Sequence, residues 1–179
     1  KKLEFLINDR FKKFKNKKLE LTKRQIKEIY NFFKLPIKKI KENGIPQEND
    51  IEYNQWLSQN TIKHKVEGYS IVNISLKPPG KPPGDISSLQ MKKLSKISEI
   101  FSCGELRVTH EQNLILPHIK NSQLFQLWRK LKTIGLSTPN IGLISDTICC
   151  PGMDYCALAT ARSIPISQKI SNFFNDYSA

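Results

Sequence analysis

The chain lacks the features that mark several common protein classes. It has no apolar run approaching the ~20 residues of a membrane-spanning helix, and its basic start is not followed by the apolar stretch of a signal peptide. It also has no phosphate-binding loop, no dinucleotide glycine fingerprint and no Gly-x-Ser-x-Gly elbow. These absences predict a cytoplasmic protein without a membrane segment, and the sequence assigns no catalytic residue.

Cysteine is scarce, with four residues in a chain of 179, namely Cys103, Cys149, Cys150 and Cys156. A secreted disulfide-rich domain would be shorter and would carry an export signal. Adjacent Cys149 and Cys150 also make a poor disulfide framework. Reduced thiols in a cytosolic setting are therefore the better interpretation.

Acidic residues are the minority, and the net charge is +13. Residues 1–65 carry 17 Lys and Arg against 8 Asp and Glu, and residues 66–179 carry 12 against 8. A basic surface attracts nucleic acid, anionic lipid or an acidic protein. Here the excess is scattered, rich in Lys and without an aromatic stacking pattern, so solvated helix faces explain it and we predict no nucleic-acid or membrane partner.

Residues 1–50 have the pattern of a basic helical extension. Thr22 and Gln25 fit a capping box at the start of a helix. Apolar residues then recur at helical spacing: Ile26, Ile29, Tyr30 and Phe33. These residues suggest no core of their own, so we interpret the segment as the tail of a preceding domain or a linker.

Residues 51–136 predict a ferredoxin-like half-domain of the α+β class. Strand patterns at 66–76, 105–109 and 113–117 alternate with helix patterns at 88–100 and 121–135, which gives the order β-α-β-β-α. Two helices on one face of an antiparallel sheet form such a layer. The helices have these apolar stripes: Met91, Leu94, Ile97 and Phe101, then Leu124, Leu127, Trp128 and Leu131.

We expect residues 137–179 to begin a separate unit that the chain does not complete. The pattern predicts a short strand near 141–144, then a loop that contains three of the cysteines, then a final helix. Pro165 lies near the start of that helix and either bends it or begins its second part.

Cys150 and Cys156 are separated by five residues on a loop opened by Pro151 and Gly152. Thiolates bind iron–sulfur clusters and zinc, but zinc prefers closer pairs and no second pair is present. On spacing alone, two buried packing residues remain the alternative. We interpret Cys149 as packing because consecutive side chains point in different directions, and Cys103, beside a helix end, likewise.

The turn between the last two predicted strands is rich in hydrogen-bonding groups. Arg107 supplies a fixed cationic fork, and Thr109, Gln112 and Asn113 supply neutral donors and acceptors. From the pattern alone, this is a polar turn at the rim of a sheet.

Three segments together resemble the sulfite/nitrite reductase family, whose members use sirohaem coupled to a [4Fe–4S] cluster. They are 56–77, 104–118 with Arg-Val-Thr-His-Glu-Gln-Asn, and 140–165 with Cys-Pro-Gly-Met-Asp-Tyr-Cys. The resemblance covers residues 56 to about 170. It implies that the chain holds the start of the second of two related halves, each a ferredoxin-like layer followed by a sirohaem-binding α/β domain.

The resemblance also implies a cofactor site. Cys150 and Cys156 correspond to the first two cluster ligands, and the family takes the other two from a later Cys-x3-Cys pair. The residues that line the sirohaem pocket would be Arg107, Thr109, Gln112 and Asn113. The implied reaction is six-electron reduction of sulfite to sulfide or of nitrite to ammonia. It needs the remaining halves of the enzyme and a ferredoxin or flavoprotein donor, so this chain alone is expected to be inactive.

Two other functions stay open from the sequence. One is a basic, cofactor-free domain that docks an acidic electron carrier or nucleic acid. The other is a cysteine-ligated fold with a purely structural metal. Sirohaem and iron–sulfur absorbance in the full-length protein supports the reductase, colourless iron-free protein supports the first alternative, and stoichiometric zinc supports the second.

The cysteine spacing leads to a prediction for the full-length protein. Cys150→Ser or Cys156→Ser should abolish the iron–sulfur cluster, because each removes a thiolate ligand. Cys149→Ala should leave the iron content largely intact. Iron analysis of the three purified variants tests the assignment, and equal iron loss in all three would show that the wrong ligand was chosen.

Overall fold

The computed structural model describes residues 2–15, 20–41 and 44–175. The chain divides into two compact units, Lys1–Pro36 and Ile37–Ala179. Among the described residues, every helix is too short or too polar to cross a membrane.

The first unit contains two helices, α1 (Lys2–Phe14) and α2 (Lys23–Phe32). The predicted capping box starts α2: the Thr22 side chain accepts the Gln25 N–H at 3.2 Å, and Gln25 Oε1 accepts the Thr22 N–H at 2.9 Å. Neither helix buries a residue. The predicted helical character is therefore confirmed over Lys2–Phe14 and Lys23–Phe32, whereas the described residues 33–41 and 44–50 of the same segment contain no helix. Residues 1, 16–19 and 42–43 of the predicted segment lie outside the described residues.

The second unit contains a four-stranded antiparallel sheet in the order β1-β2-β4-β3. Its strands are β1 (Thr61–Lys63), β2 (Tyr69–Ile74), β3 (Arg107–Val108) and β4 (Leu114–Lys120). Its first helices are α3 (Ile51–Asn60), α4 (Ser88–Phe101) and α5 (Leu124–Thr133). The predicted β-α-β-β-α order and the α+β class are confirmed, and α3 and β1 precede that order.

The strand predicted to begin at residue 66 begins instead at Tyr69. The His64 ring nitrogen Nδ1 accepts the Val66 N–H at 2.8 Å, which removes that amide from any strand ladder. Gly68 then turns the chain with φ of +87°, a conformation that residues with a Cβ rarely adopt. The predicted start was wrong because residues 64–68 form the hairpin turn between β1 and β2.

A proline inside β4 coincides with an irregularity in the sheet. Ser70 pairs with Ile119 and Val72 pairs with Leu116, so one extra residue of β4 lies in this step. Pro117 lies in the same step and cannot donate to a ladder, which confines it to an edge or a bulge. The bulge keeps both Leu116 and Ile119 fully buried.

The core lies between the sheet and helices α3, α4 and α5. The predicted stripes are confirmed for Leu94, Ile97 and Phe101 and for all four residues of α5. Met91, in the first turn of α4, is 54% exposed and does not join the core. Gly135 ends the second stripe as predicted, with φ of +67°, and the Leu136 N–H returns to the Leu131 carbonyl at 2.9 Å.

The strand predicted near 141–144 was wrong. Gly142 has φ of +76°, and the Leu143 N–H donates to the Asn140 carbonyl at 3.0 Å, so the chain turns here. A short 3₁₀ turn, Ile144–Asp146, follows. The last helix is α6 (Ser163–Asn175), and Pro165 lies in its first turn, where no helical hydrogen bond is lost.

The glycine of the β1–β2 turn gives a stability prediction. A Cβ added at Gly68 would lie 2.8 Å from the Ile40 carbonyl oxygen, whereas one added at Gly104, with φ of +75°, would meet nothing within 4 Å. Gly104→Ala should lower the free energy of unfolding by about 1 kcal/mol, and Gly68→Ala by about 2–4 kcal/mol, because only the second adds a backbone clash to the cost of the dihedral angle. Urea unfolding measures both, and equal losses would contradict the contact with Ile40.

Candidate functional site

The four cysteines lie in different environments. Cys149 is buried, with 7% of its surface exposed, whereas Cys150 is exposed and Cys156 is half-buried. The Cys149 thiol lies 3.2 Å from the Cys150 carbonyl oxygen. The packing interpretation of Cys149 is confirmed, but that of Cys103 was wrong: this residue is exposed because α4 has ended and the chain turns there with φ of +55°.

Backbone geometry fixes the loop between Cys150 and Cys156. The short 3₁₀ turn Gly152–Asp154 occupies its centre, and the Cys156 N–H donates to the Gly152 carbonyl at 2.9 Å. Gly152 has φ of +60°, and a Cβ there would lie 2.7 Å from the Ala161 carbonyl oxygen. Only glycine fits at this position, because the loop passes so close to the segment that precedes α6.

Two further contacts tie the loop to the segment before α6. The Met153 N–H donates to the Ala161 carbonyl at 3.0 Å. The Arg162 guanidinium holds Asp154 through two nitrogen atoms, at 2.6 and 3.0 Å from Oδ1. The loop that contains both candidate thiol ligands is therefore held in a defined conformation, and Cys150 is exposed on it.

Gln112 joins the polar turn to the cysteine loop. Its Nε2 donates to the Cys149 carbonyl at 2.7 Å, and its Oε1 accepts the Cys149 N–H at 3.0 Å. Gln112 has φ of +57°, which is uncommon for a residue with a side chain. The structure thus places the predicted turn directly against the loop, through the backbone of Cys149 rather than through Cys150 or Cys156.

Thr109 and Asn113 close the turn between β3 and β4. The Thr109 N–H donates to the Asn113 carbonyl at 2.9 Å, and the Asn113 N–H donates to the Thr109 hydroxyl at 3.1 Å. The Asn113 side chain is buried, and its Oδ1 accepts the Leu76 N–H at 3.2 Å. Both residues hold the turn in shape.

Arg107 lies on β3, and 57% of its side chain is exposed. Its Nε donates to Glu105 at 2.6 Å, and the other Glu105 oxygen lies 2.9 Å from Nε2 of the buried His118. Burial alone would raise the pKa of Glu105, but hydrogen bonds and charge from Arg107 and His118 bring that pKa below its usual value. Glu105 therefore anchors Arg107 as a carboxylate through both Nε and Nη2, while more than half of the Arg107 side chain remains exposed.

A cavity of about 370 Å³ lies between the turn and the loop. Three of the predicted site residues line it, namely Thr109, Gln112 and Asn113, together with Cys149, Tyr155 and the Pro82–Asp85 stretch. Arg107, Cys150 and Cys156 are not part of its lining. The predicted residues are thus brought into one region of the unit, but they do not all face one space.

The sequence did not reveal the ion pair behind this region. Lys77 Nζ lies 2.7 Å from Asp146 Oδ1, and the two side chains are 1% and 8% exposed. Lys77 stands in a proline-rich connector where a lysine suggests a solvated loop, and its partner is 69 residues away. No periodicity or motif relates the two positions, so only the structure brings them together.

Within residues 2–15, 20–41 and 44–175, no three His, Cys, Asp or Glu side chains are grouped so that they could hold a metal ion. Cys150 and Cys156 are therefore a partial ligand set at most. An exposed thiol and a half-buried thiol on a fixed loop suit a soft metal centre that takes its other ligands from elsewhere.

Comparison with known proteins adds to this picture. Residues 65–134 match the model of the nitrite/sulfite reductase ferredoxin-like half domain. A chloroplastic ferredoxin–nitrite reductase of Betula pendula is 31% identical over 138 residues, which are 72% of this chain and 22% of that protein. The chloroplastic enzyme of Spinacia oleracea is 30% identical over 112 residues, or 59% of this chain and 18% of that protein.

A ferredoxin–nitrite reductase of Synechococcus elongatus is 31% identical over 93 residues, which are 50% of this chain and 18% of that protein. The matched part of the chain spans about a fifth of the length of these curated relatives. The likeness therefore concerns one segment of much longer proteins.

The contact between Gln112 and Cys149 gives a prediction. Gln112→Ala should lower the free energy of unfolding by about 1–3 kcal/mol, because it leaves the N–H and carbonyl of a buried residue without partners. Gln126→Ala is the matched control on the exposed face of α5 and should change it by less than about 0.5 kcal/mol. Denaturant unfolding measures both values, and similar small losses would show that Gln112 does not hold the loop.

Proposed function

Because this chain belongs to the sulfite/nitrite reductase family, we propose that it is one part of a longer reductase that converts nitrite to ammonia or sulfite to sulfide. The observation that carries the proposal is the docking of the turn at 109–113 against the cysteine loop through Gln112 and Cys149. It joins the segment matched by the family model to the backbone of Cys149, which directly precedes the loop with the two candidate thiols. A catalytic residue is not assigned to this chain.

We propose the following division of the chain. Residues 1–50 form the helical tail of a preceding domain or a linker. Residues 51–136 form the ferredoxin-like half-domain, and the family match at 65–134 lies inside these bounds. Residues 137–179 begin a domain that binds sirohaem and the cluster, and further parts of the enzyme complete it.

Cys150 and Cys156 would supply two of the four thiolates of a [4Fe–4S] cluster. Their position on a fixed loop, with Cys150 exposed, supports this assignment. When bound, the coupled cluster and sirohaem supply the electron-transfer chemistry. Each ligand thiol gives up its proton to become a thiolate.

The residues of the turn would form one wall of the sirohaem pocket. The exposed part of the Arg107 guanidinium offers charge-assisted hydrogen bonds to a carboxylate of the macrocycle. Thr109, Gln112 and Asn113 line the cavity beside Cys149. Glu105 accepts a hydrogen bond from Arg107 and also contacts the buried His118. The direction of the Arg107 side chain is therefore fixed.

The similar proteins are named as ferredoxin–nitrite reductases, and this supports nitrite as the substrate. We therefore propose nitrite before sulfite, and ferredoxin before a flavoprotein as electron donor. We place the enzyme in the cytoplasm, where a reducing environment keeps all four thiols free.

Anaerobic purification of the complete protein tests the proposal. We expect sirohaem and iron–sulfur absorbance, and ammonia formation from nitrite with reduced ferredoxin, with sulfide formation from sulfite assayed in parallel. Arg107→Gln should lower sirohaem content several-fold, because a charged hydrogen bond to a carboxylate is lost. Colourless, iron-free protein after reconstitution would overturn the assignment, and sulfide formation without ammonia would reverse the choice of substrate.

A further inference from the structure

We propose that the buried ion pair between Lys77 and Asp146 is a positioning device that sets the cysteine loop for cluster binding. The inference rests on the proposed function, because it takes Cys150 and Cys156 as cluster ligands. Asp146 precedes Cys150 by only four residues, and Lys77 follows strand β2. The pair therefore connects the sheet to the segment that leads into the loop.

The ammonium group of Lys77 uses all three of its N–H donors inside the protein. It contacts Asp146 Oδ1 at 2.7 Å, the Glu111 carbonyl at 2.5 Å and the Asp146 carbonyl at 3.0 Å. An ammonium has three donors and no acceptor. Lys77 thus has no N–H donor left for an anionic substrate or a cofactor carboxylate. This distinguishes it from a lysine that binds substrate.

The carboxylate of Asp146 is equally well satisfied. Its Oδ1 also accepts from Asn113 Nδ2 at 3.0 Å, and its Oδ2 accepts the Gly142 N–H at 2.9 Å. Asn140 adds a link to the same strand end, because its Nδ2 donates to the Lys77 carbonyl at 2.9 Å. A buried ion pair offsets the cost of its own desolvation only with such additional hydrogen bonds.

These contacts bring three separate segments to one point. Lys77 comes from the segment that follows β2, Glu111 and Asn113 come from the turn at 109–113, and Asp146 comes from the 3₁₀ turn before the loop. The turn that is proposed to line the macrocycle and the loop that is proposed to bind the cluster are thereby held at a fixed separation. A coupled pair of cofactors requires such a fixed separation of its two binding segments.

The first test uses thiol reactivity in the complete natural protein before cofactor loading. Cys149 is buried and should react slowly with iodoacetamide, and the exposed Cys103 serves as internal reference. Lys77→Met should speed alkylation of Cys149 by at least about tenfold, because an unpaired buried carboxylate favours opening of the loop. Lys132→Met removes a lysine from the exposed pair with Glu52 and should leave Cys149 unchanged. Unchanged Cys149 reactivity in Lys77→Met would overturn the proposal.

The second test separates positioning from stability. Lys77→Met combined with Asp146→Leu replaces the pair by apolar groups, which often restores stability. We expect this double variant to unfold near the wild-type midpoint but to hold less than about half of the wild-type cluster iron, with an altered EPR signal of the reduced cluster. Wild-type iron and EPR signal in the folded double variant would overturn the proposal. Absence of iron from the wild-type protein would instead contradict the proposed function, and the alkylation test would still decide the role of the pair.

Discussion

The antiparallel pairing of β2 with β4 is the constraint on which the rest of the second unit depends. β2 lies between β1 and β4, and β4 lies between β2 and β3, so both central strands are paired on both sides. Their inward side chains, among them Val72, Ile74 and Leu116, are fully buried under the helices. A one-residue slip would turn these side chains to the opposite face, and the bulge beside Pro117 is the single step in that register.

The same pairing determines where the candidate site lies. β2 runs out into Leu76 and Lys77, while β4 begins just after Asn113, so the end of one strand meets the turn before the other. The Leu76 N–H donates to Asn113 at this meeting point. The hydrophobic core thus positions the rim, and polar contacts extend the rim to the cysteine loop.

The rim is stabilised by polar groups that have little access to water. Charges and amides in such a place are costly unless each donor and acceptor is paired. Lys77 and Asp146 meet this requirement, and Gln112 forms two hydrogen bonds with the backbone of Cys149. These contacts determine how the three segments are arranged more than they raise the net stability of the fold, because apolar side chains of similar volume in place of a buried ion pair can be as stable.

Local signals in the sequence predicted the parts of the fold that follow one periodic pattern or one cap. The stripe of α5, the capping box at Thr22 and the glycine stop at Gly135 all depend on neighbours within a few residues, and all were confirmed. The start of β2 was missed because a His64 ring nitrogen captures the Val66 amide. The turn at 141–144 was wrongly predicted as a strand, because Asp146 and Asn140 stabilise it through side chains that no apolar pattern reveals.

The candidate site shows the same division between local and long-range signals. The types of the candidate residues could be read from short motifs, because Cys150, Cys156 and the turn at 107–113 are each local in sequence. The partner of Lys77 could not be predicted, because the two residues meet only through the pairing of distant strands. The double hydrogen bond of Gln112 with Cys149 was likewise out of reach, since it joins residues 37 positions apart.

The close approach of Gly152 to the Ala161 carbonyl shows that the conformation of the loop depends on residues outside it. Its shape depends on the Ala161 carbonyl, on Arg162 and on the backbone of Cys149, which lie outside the Cys150–Cys156 stretch itself. A synthetic peptide of that stretch would sample many conformers, and it would have to lose their entropy before both sulfur atoms could reach one ion. The protein loses this entropy on folding, so the conformation of the loop belongs to the folded unit and not to the seven residues alone.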